Sequence, residues 1–118
     1  MRSGLVLAAL LLIAPAAGAQ DVTGQYDVEG TNLDGSRYRG TAQVTATSKT
    51  TCTISWQTGG TSSNGLCMRQ DDVFVANYRS GNTVGLVIYR WQPGGKYFEG
   101  IWTIAGAAGT GTERLIPR

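Results

Sequence analysis

From Gln20 to the end of the chain, short runs that alternate apolar and polar residues recur between clusters of Gly, Asn, Asp and Pro. No ten-residue stretch there carries the i, i+3, i+4 apolar spacing of an amphipathic helix. A period of two places successive side chains on opposite faces of an extended backbone, so this part of the chain is expected to be strands joined by turns. The clearest run is Arg37–Thr47, which sets Tyr38, Gly40, Ala42, Val44 and Ala46 against Arg37, Arg39, Thr41, Gln43 and Thr45. Seven further runs are expected at 24–30, 51–57, 65–68, 73–79, 84–91, 96–104 and 111–116. Turns fall between them at Asn32-Leu33-Asp34-Gly35, Gly59-Gly60, Asp71-Asp72, Ser80-Gly81-Asn82 and Gln92-Pro93-Gly94-Gly95.

Eight short strands with short connections predict an all-β, eight-stranded antiparallel up-and-down barrel. Closure removes both sheet edges and with them the templates for edge-to-edge pairing. A two-sheet β-sandwich is the alternative architecture, disfavoured because sandwiches usually need a long crossover. If Gly59-Gly60 is a two-residue hairpin loop, the register places Cys52 directly across from Cys67, at a separation a disulfide can span.

The first nineteen residues carry a different pattern. Arg2 precedes the apolar stretch Leu5 to Ile13, and Ala17-Gly18-Ala19 supplies a small-residue cleavage site, the three parts of a secretory signal peptide. Residues 1–19 are accordingly assigned as signal and 20–118 as one small domain, periplasmic or secreted, without a membrane span after cleavage. In that oxidising setting two cysteines are expected to pair. A domain of this size buries only about two-thirds of the surface its unfolded chain exposes, so a covalent staple is useful to it.

Without Arg2, nine Lys and Arg face eight Asp and Glu. Such a balance, with no long run of one sign, gives no indication of a nucleic-acid partner. Histidine is absent, which removes Ser-His-Asp and Cys-His chemistry and the most versatile neutral metal ligand. No phosphate loop, dinucleotide fingerprint or calcium loop occurs. The carboxylate pairs Asp27/Glu29 and Asp71/Asp72 fall on a wet strand face and in a turn. No enzymatic role, cofactor or metal is therefore expected, and a monomer is.

The candidate binding residues are aromatic and basic. Trp56, Trp91 and Trp102, with Tyr26, Tyr38, Tyr78 and Tyr89, either fill the barrel or line a ligand cup at one end of it. An eight-stranded barrel is wide enough for either, and a filled interior is the favoured expectation. Arg37 and Arg39, beside Tyr and Trp, have the composition of an interface hot spot. Glu113 and Arg114 point to opposite faces of the last strand, so one of them turns inward and needs a partner.

The run Gly24 to Gly40, the segment Gly100-Ile101-Trp102-Thr103 and the ending Gly111-Thr112-Glu113-Arg114-Leu115-Ile116-Pro117 resemble small exported bacterial proteins described as uncharacterised or as fibronectin-binding. A looser likeness, through the opening Gly24-Gln25-Tyr26, runs to the avidin and lipocalin barrels. The first resemblance implies a small exported barrel with a fibronectin-binding-like role, and the second implies the barrel fold and nothing beyond it; a non-catalytic binding domain is the leading expectation. A periplasmic inhibitor or envelope-stress protein acting on a hydrolase, through Thr58 to Asn64 or Ala105 to Thr110 as a presented loop, is the alternative. The partner would be a protein or a small ligand.

Overall fold

In a computed structural model, residues 21–118 are described; the signal-peptide assignment, 1–19, lies outside them. Eight strands run in order: β1 Gly24–Thr31, β2 Arg37–Ala46, β3 Thr51–Thr58, β4 Thr61–Gln70, β5 Val73–Ser80, β6 Thr83–Gln92, β7 Tyr97–Ile104 and β8 Gly111–Pro117. Each pairs antiparallel with its sequence neighbour, and β1 pairs with β8 to close the barrel. Closure rules out the sandwich.

The turns set the register. Gly59 and Gly60 both have positive φ, 55° and 81°, as a type I′ two-residue hairpin requires. Thr58 then faces Thr61, and Cys52 faces Cys67. The two cysteines are joined by a disulfide with their Cα atoms 4.9 Å apart. One expectation is corrected here: the return strand starts at Thr61, not Gly65. The stretch Thr61-Ser62-Ser63-Asn64 lacks apolar alternation, but a turn this tight leaves the chain nowhere to go except along β3. Thr58 to Asn64 is thus two paired strand ends around a two-residue turn and forms no presented loop. Ala105 to Thr110 is a loop, tied down where Ala105 N donates to Val84 O at 2.7 Å and Thr103 Oγ1 donates to Gly109 O at 2.9 Å.

Strand alternation divides the residues cleanly. Val28, Val44, Ile54, Phe74, Tyr89, Phe98 and Leu115 point inward and are essentially fully buried. Full burial of one such apolar side chain is worth about 1.5–3 kcal/mol. The half of the barrel where β1 begins and β8 ends is packed solid by aromatic rings. Phe74 stacks on Phe98 at 5.0 Å, and Tyr89 and Trp91 pack against them at 4.7 and 4.9 Å.

Outside, the surface is two-sided. The register aligns Met68, Val75, Ile88 and Ile101 across β4 to β7, all exposed. Beside that row, Arg90, Glu99, Arg114, Glu29 and Arg39 alternate in sign around the barrel. Their exposed ion pairs, such as Arg114 to Glu99 at 3.0 Å, contribute little individually.

Candidate functional site

At the end marked by the β1–β2, β3–β4, β5–β6 and β7–β8 connections, the interior is not filled. A cavity of about 240 Å³ opens there, walled by Tyr38, Trp56, Tyr78 and Trp102. Asn32, Thr58, Gly59 and Thr61 edge its mouth, and Val87, Tyr89 and Glu113 lie deeper. The favoured expectation of a filled interior therefore holds for one half of the barrel only.

Glycines make this arrangement possible. A Cβ at Gly30 would collide with the Tyr38 phenol and the Thr112 backbone, and one at Gly111 with the Trp102 indole and the Thr31 backbone. With hydrogen at both positions, Tyr38 from β2 and Trp102 from β7 lean over the β1–β8 seam until their rings are 6.2 Å apart, edge to face. Both are anchored to one backbone carbonyl, since Tyr38 Oη and Trp102 Nε1 donate to Thr112 O at 3.3 and 3.2 Å. Trp56 and Tyr78 form a second pair at 5.7 Å.

Glu113 is the chemical centre of the site. On β8, Gly111, Glu113 and Leu115 face inward and Thr112 and Arg114 outward, so the inward-turning member of the Glu113/Arg114 pair is the glutamate. Its cross-strand neighbours are Gly30 on β1 and Gly100 on β7, which leaves space above the carboxyl for aromatic rings. Tyr38 Oη donates to Oε1 at 2.7 Å, Trp56 Nε1 donates to Oε2 at 2.9 Å, and Tyr89 Oη donates to Oε2. Trp56 Nε1 also lies 3.2 Å from Tyr89 Oη. Glu113 is only 6% exposed, and no Lys or Arg makes an ion pair with it among the described residues. The ion pairs there involve other carboxylates on the outer surface.

Burial pushes the Glu113 carboxyl above the ordinary glutamate range, and the hydrogen bonds from Tyr38, Tyr89 and Trp56 partly oppose that rise. The Tyr89 and Tyr38 phenols are both raised, first by burial and then by the Glu113 charge. They remain neutral donors at any physiological pH. The arrangement is a negatively biased acceptor in an apolar, aromatic chamber, held by neutral groups.

Of the residues singled out from sequence, Tyr38, Trp56 and Trp102 meet at this cavity. Tyr26 and Trp91 do not. Tyr26 is buried toward the opposite end, where its hydroxyl donates to Val22 O at 2.5 Å and burial raises its pKa to about 12. Trp91 packs on Phe98 there. Arg37 and Arg39 share a strand parity opposite to that of Tyr38, so turning Tyr38 inward sends both outside. They border a shallow outer groove with Glu29, Glu99 and Arg114, and Arg39 reaches Glu29 at 4.0 Å with its side chain 84% exposed.

Glu113 is the site residue that sequence reading left undefined. Its parity with Gly111 and Leu115 was the available signal. Elsewhere, the outer apolar row offers a shallow depression lined by Val75, Leu86, Ile88 and Ile101, with no charged group among its lining residues. No group of three or more His, Cys, Asp or Glu stands close enough to hold a metal among the described residues.

No family model matches the chain, and no curated protein matches it. Solved structures do. A de novo designed fluorescence-activating β-barrel superimposes with a TM-score of 0.67 at 15% identity, covering 86% of this chain and 97% of that one. A redesigned β-barrel bound to DFHBI superimposes with a TM-score of 0.70 at 22% identity, covering 86% of this chain and 98% of the other. At these identities the likeness concerns the fold.

Proposed function

We propose that this protein is an exported, non-catalytic barrel that encloses a small molecule at its open end. The observation that carries the reading is the cavity of about 240 Å³ with its four aromatic walls and a single buried carboxyl. Pockets for small molecules have this make-up: apolar and aromatic walls with few, fixed polar groups. Scaling from a cavity of about 150 Å³ that holds benzene, this volume suits a flat molecule of roughly ten non-hydrogen atoms. That a redesigned barrel of this fold is bound to DFHBI supports the reading. Catalysis would need a reactive group beside an acid or base partner, and Glu113 is surrounded instead by neutral donors that fix it.

Export is supported by the Cys52–Cys67 disulfide, of a kind that persists in oxidising compartments, together with the signal-like pattern of residues 1–19. The fibronectin-type adhesive role implied by the sequence resemblance would use the outer face, where Arg37 and Arg39 stand, and would be untouched by blocking the cavity. An inhibitory role needs a filled barrel and a projecting loop. The cavity and the two-residue Gly59-Gly60 turn weigh against it.

Binding is tested by titrating bicyclic aromatic probes and following tryptophan fluorescence in a Trp91→Phe background, which leaves Trp56 and Trp102 at the cavity as reporters. Saturable quenching that is lost on Gly111→Leu, a change that drives a side chain into the space of Trp102, is the expected result. Absence of saturable binding by neutral, cationic and anionic probes up to millimolar concentration would overturn the reading.

A further inference from the structure

Resting on that reading, we infer that the ligand carries a positive charge on a flat or methylated organic body, and that Glu113 is its counter-ion. Three observations converge. The cavity has one ionisable carboxyl, Glu113, and no basic residue among its lining. Four of the outer cations are committed elsewhere, since Arg39, Arg90, Arg114 and Arg118 pair with Glu29, Asp72, Glu99 and Asp27 on the surface, and none of the remaining Lys and Arg of the described residues lines the cavity. The walls are the aromatic rings of Trp56, Tyr78, Tyr38 and Trp102, whose faces, though not their edges, carry negative potential.

A buried carboxylate normally has a cation beside it, because removing an ion from water is costly. Here the charge is met by three neutral donors and nothing else among the described residues. The donors pin both oxygens in place while leaving the net charge of the chamber at minus one whenever Glu113 is ionised. A cation entering the cavity cancels that charge in a low-dielectric site, where Coulomb attraction is far stronger than in water. The same cation gains from the aromatic rings, whose faces attract positive charge when desolvated. An anion of equal shape meets the carboxylate unscreened and is rejected.

Shape points the same way. The mouth is edged by threonine, asparagine and glycine, none of which competes for a cation as a second carboxylate would. The depth of Glu113, at 6% exposure, requires the charged part of the ligand to enter first and shed its water. A weakly hydrated ion, such as a quaternary ammonium or a delocalised heteroaromatic cation, sheds water more easily than a primary ammonium.

Three probes of similar size separate the possibilities: N-methylquinolinium, quinoline at a mildly alkaline pH where it is uncharged, and 1-naphthoate. Each is titrated against the purified protein and its Glu113→Gln variant by calorimetry and tryptophan quenching. The amide can satisfy the network, since its oxygen accepts from Trp56 and Tyr89 while its nitrogen donates to Tyr38. The expected result is N-methylquinolinium bound about tenfold or more tighter than quinoline, naphthoate weakest, and the preference erased in Glu113→Gln while quinoline affinity holds. Equal binding of all three, or a preference for naphthoate, overturns the charge assignment while leaving a small-molecule barrel in place. Failure of all three to bind overturns the barrel reading itself. If the variant does not fold, the wild-type ratio of cation to neutral affinity decides alone.

Discussion

Replacing Glu113 with leucine tests whether the buried carboxyl holds the open end of the barrel together. The structure says how much is at stake. Of the three donors that lose their acceptor, Trp56 Nε1 retains Tyr89 Oη at 3.2 Å and Tyr38 Oη retains Thr112 O at 3.3 Å. Tyr89 Oη, on a residue with no exposed surface, has no alternative acceptor among its hydrogen bonds. One orphaned buried hydroxyl costs about 1–3 kcal/mol.

Against that cost stands the burial of the carboxyl, which raises its folded pKa above the ordinary value of 4.5. A carboxyl raised on folding contributes stability that is complete below the unfolded pKa and is lost as pH rises through the folded one. Each unit of difference is worth about 1.4 kcal/mol. Wild type should therefore exceed Glu113→Leu by about 1–3 kcal/mol in acid, where its carboxyl is neutral. The gap should shrink as pH climbs above 4.5. Urea unfolding of wild type, Glu113→Leu and Glu113→Gln across that range reads this directly, with Glu113→Gln expected to lack the wild-type slope. Parallel pH profiles for wild type and leucine, or a leucine variant more stable than wild type in acid, would refute the account of Glu113.

Reducing the Cys52–Cys67 bridge, which spans a sequence separation of 15, should cost about 3 kcal/mol by the loop-entropy model. Calorimetry should show a lower Tm, while far-ultraviolet circular dichroism shows unchanged strand content. The tryptophans should separate. Trp56→Ala, at 3% exposure and with two hydrogen bonds, is expected to lose about 3–5 kcal/mol. Trp102→Ala, half-buried beside an existing cavity, should lose clearly less, and equal losses in denaturant titrations would place the two in the same packing environment. Gly30→Val should destabilise by about 1–3 kcal/mol or more through its collision with the Tyr38 ring and the Thr112 backbone. A neutral effect on Tm would show that Tyr38 does not lie over the β1–β8 seam.

What the sequence determined by itself was everything local. Alternation at Arg37–Thr47 and Gly111–Ile116 defines strand faces because the side-chain period is two, whatever the rest of the molecule does. The glycine pair at 59 and 60 defines a two-residue turn because a type I′ hairpin needs positive φ at both positions, and from that turn alone Cys52 is set opposite Cys67. Short connections then leave little besides an up-and-down meander.

Only the tertiary structure decided what lies in the middle. Whether an inward aromatic fills the core or walls a cavity depends on how far along the barrel axis it falls and on what its neighbours two strands away leave open. Tyr26 and Trp91 fall at the packed end; Tyr38, Trp56 and Trp102 fall at the open one. Nothing in their own local sequence separates the two groups. The chamber exists because Gly30 and Gly111, eighty-one positions apart, come together on adjacent strands and let two rings lean across them. Glu113 is held there by donors from β2, β3 and β6. Closure of the barrel brings those distant residues within reach of one another.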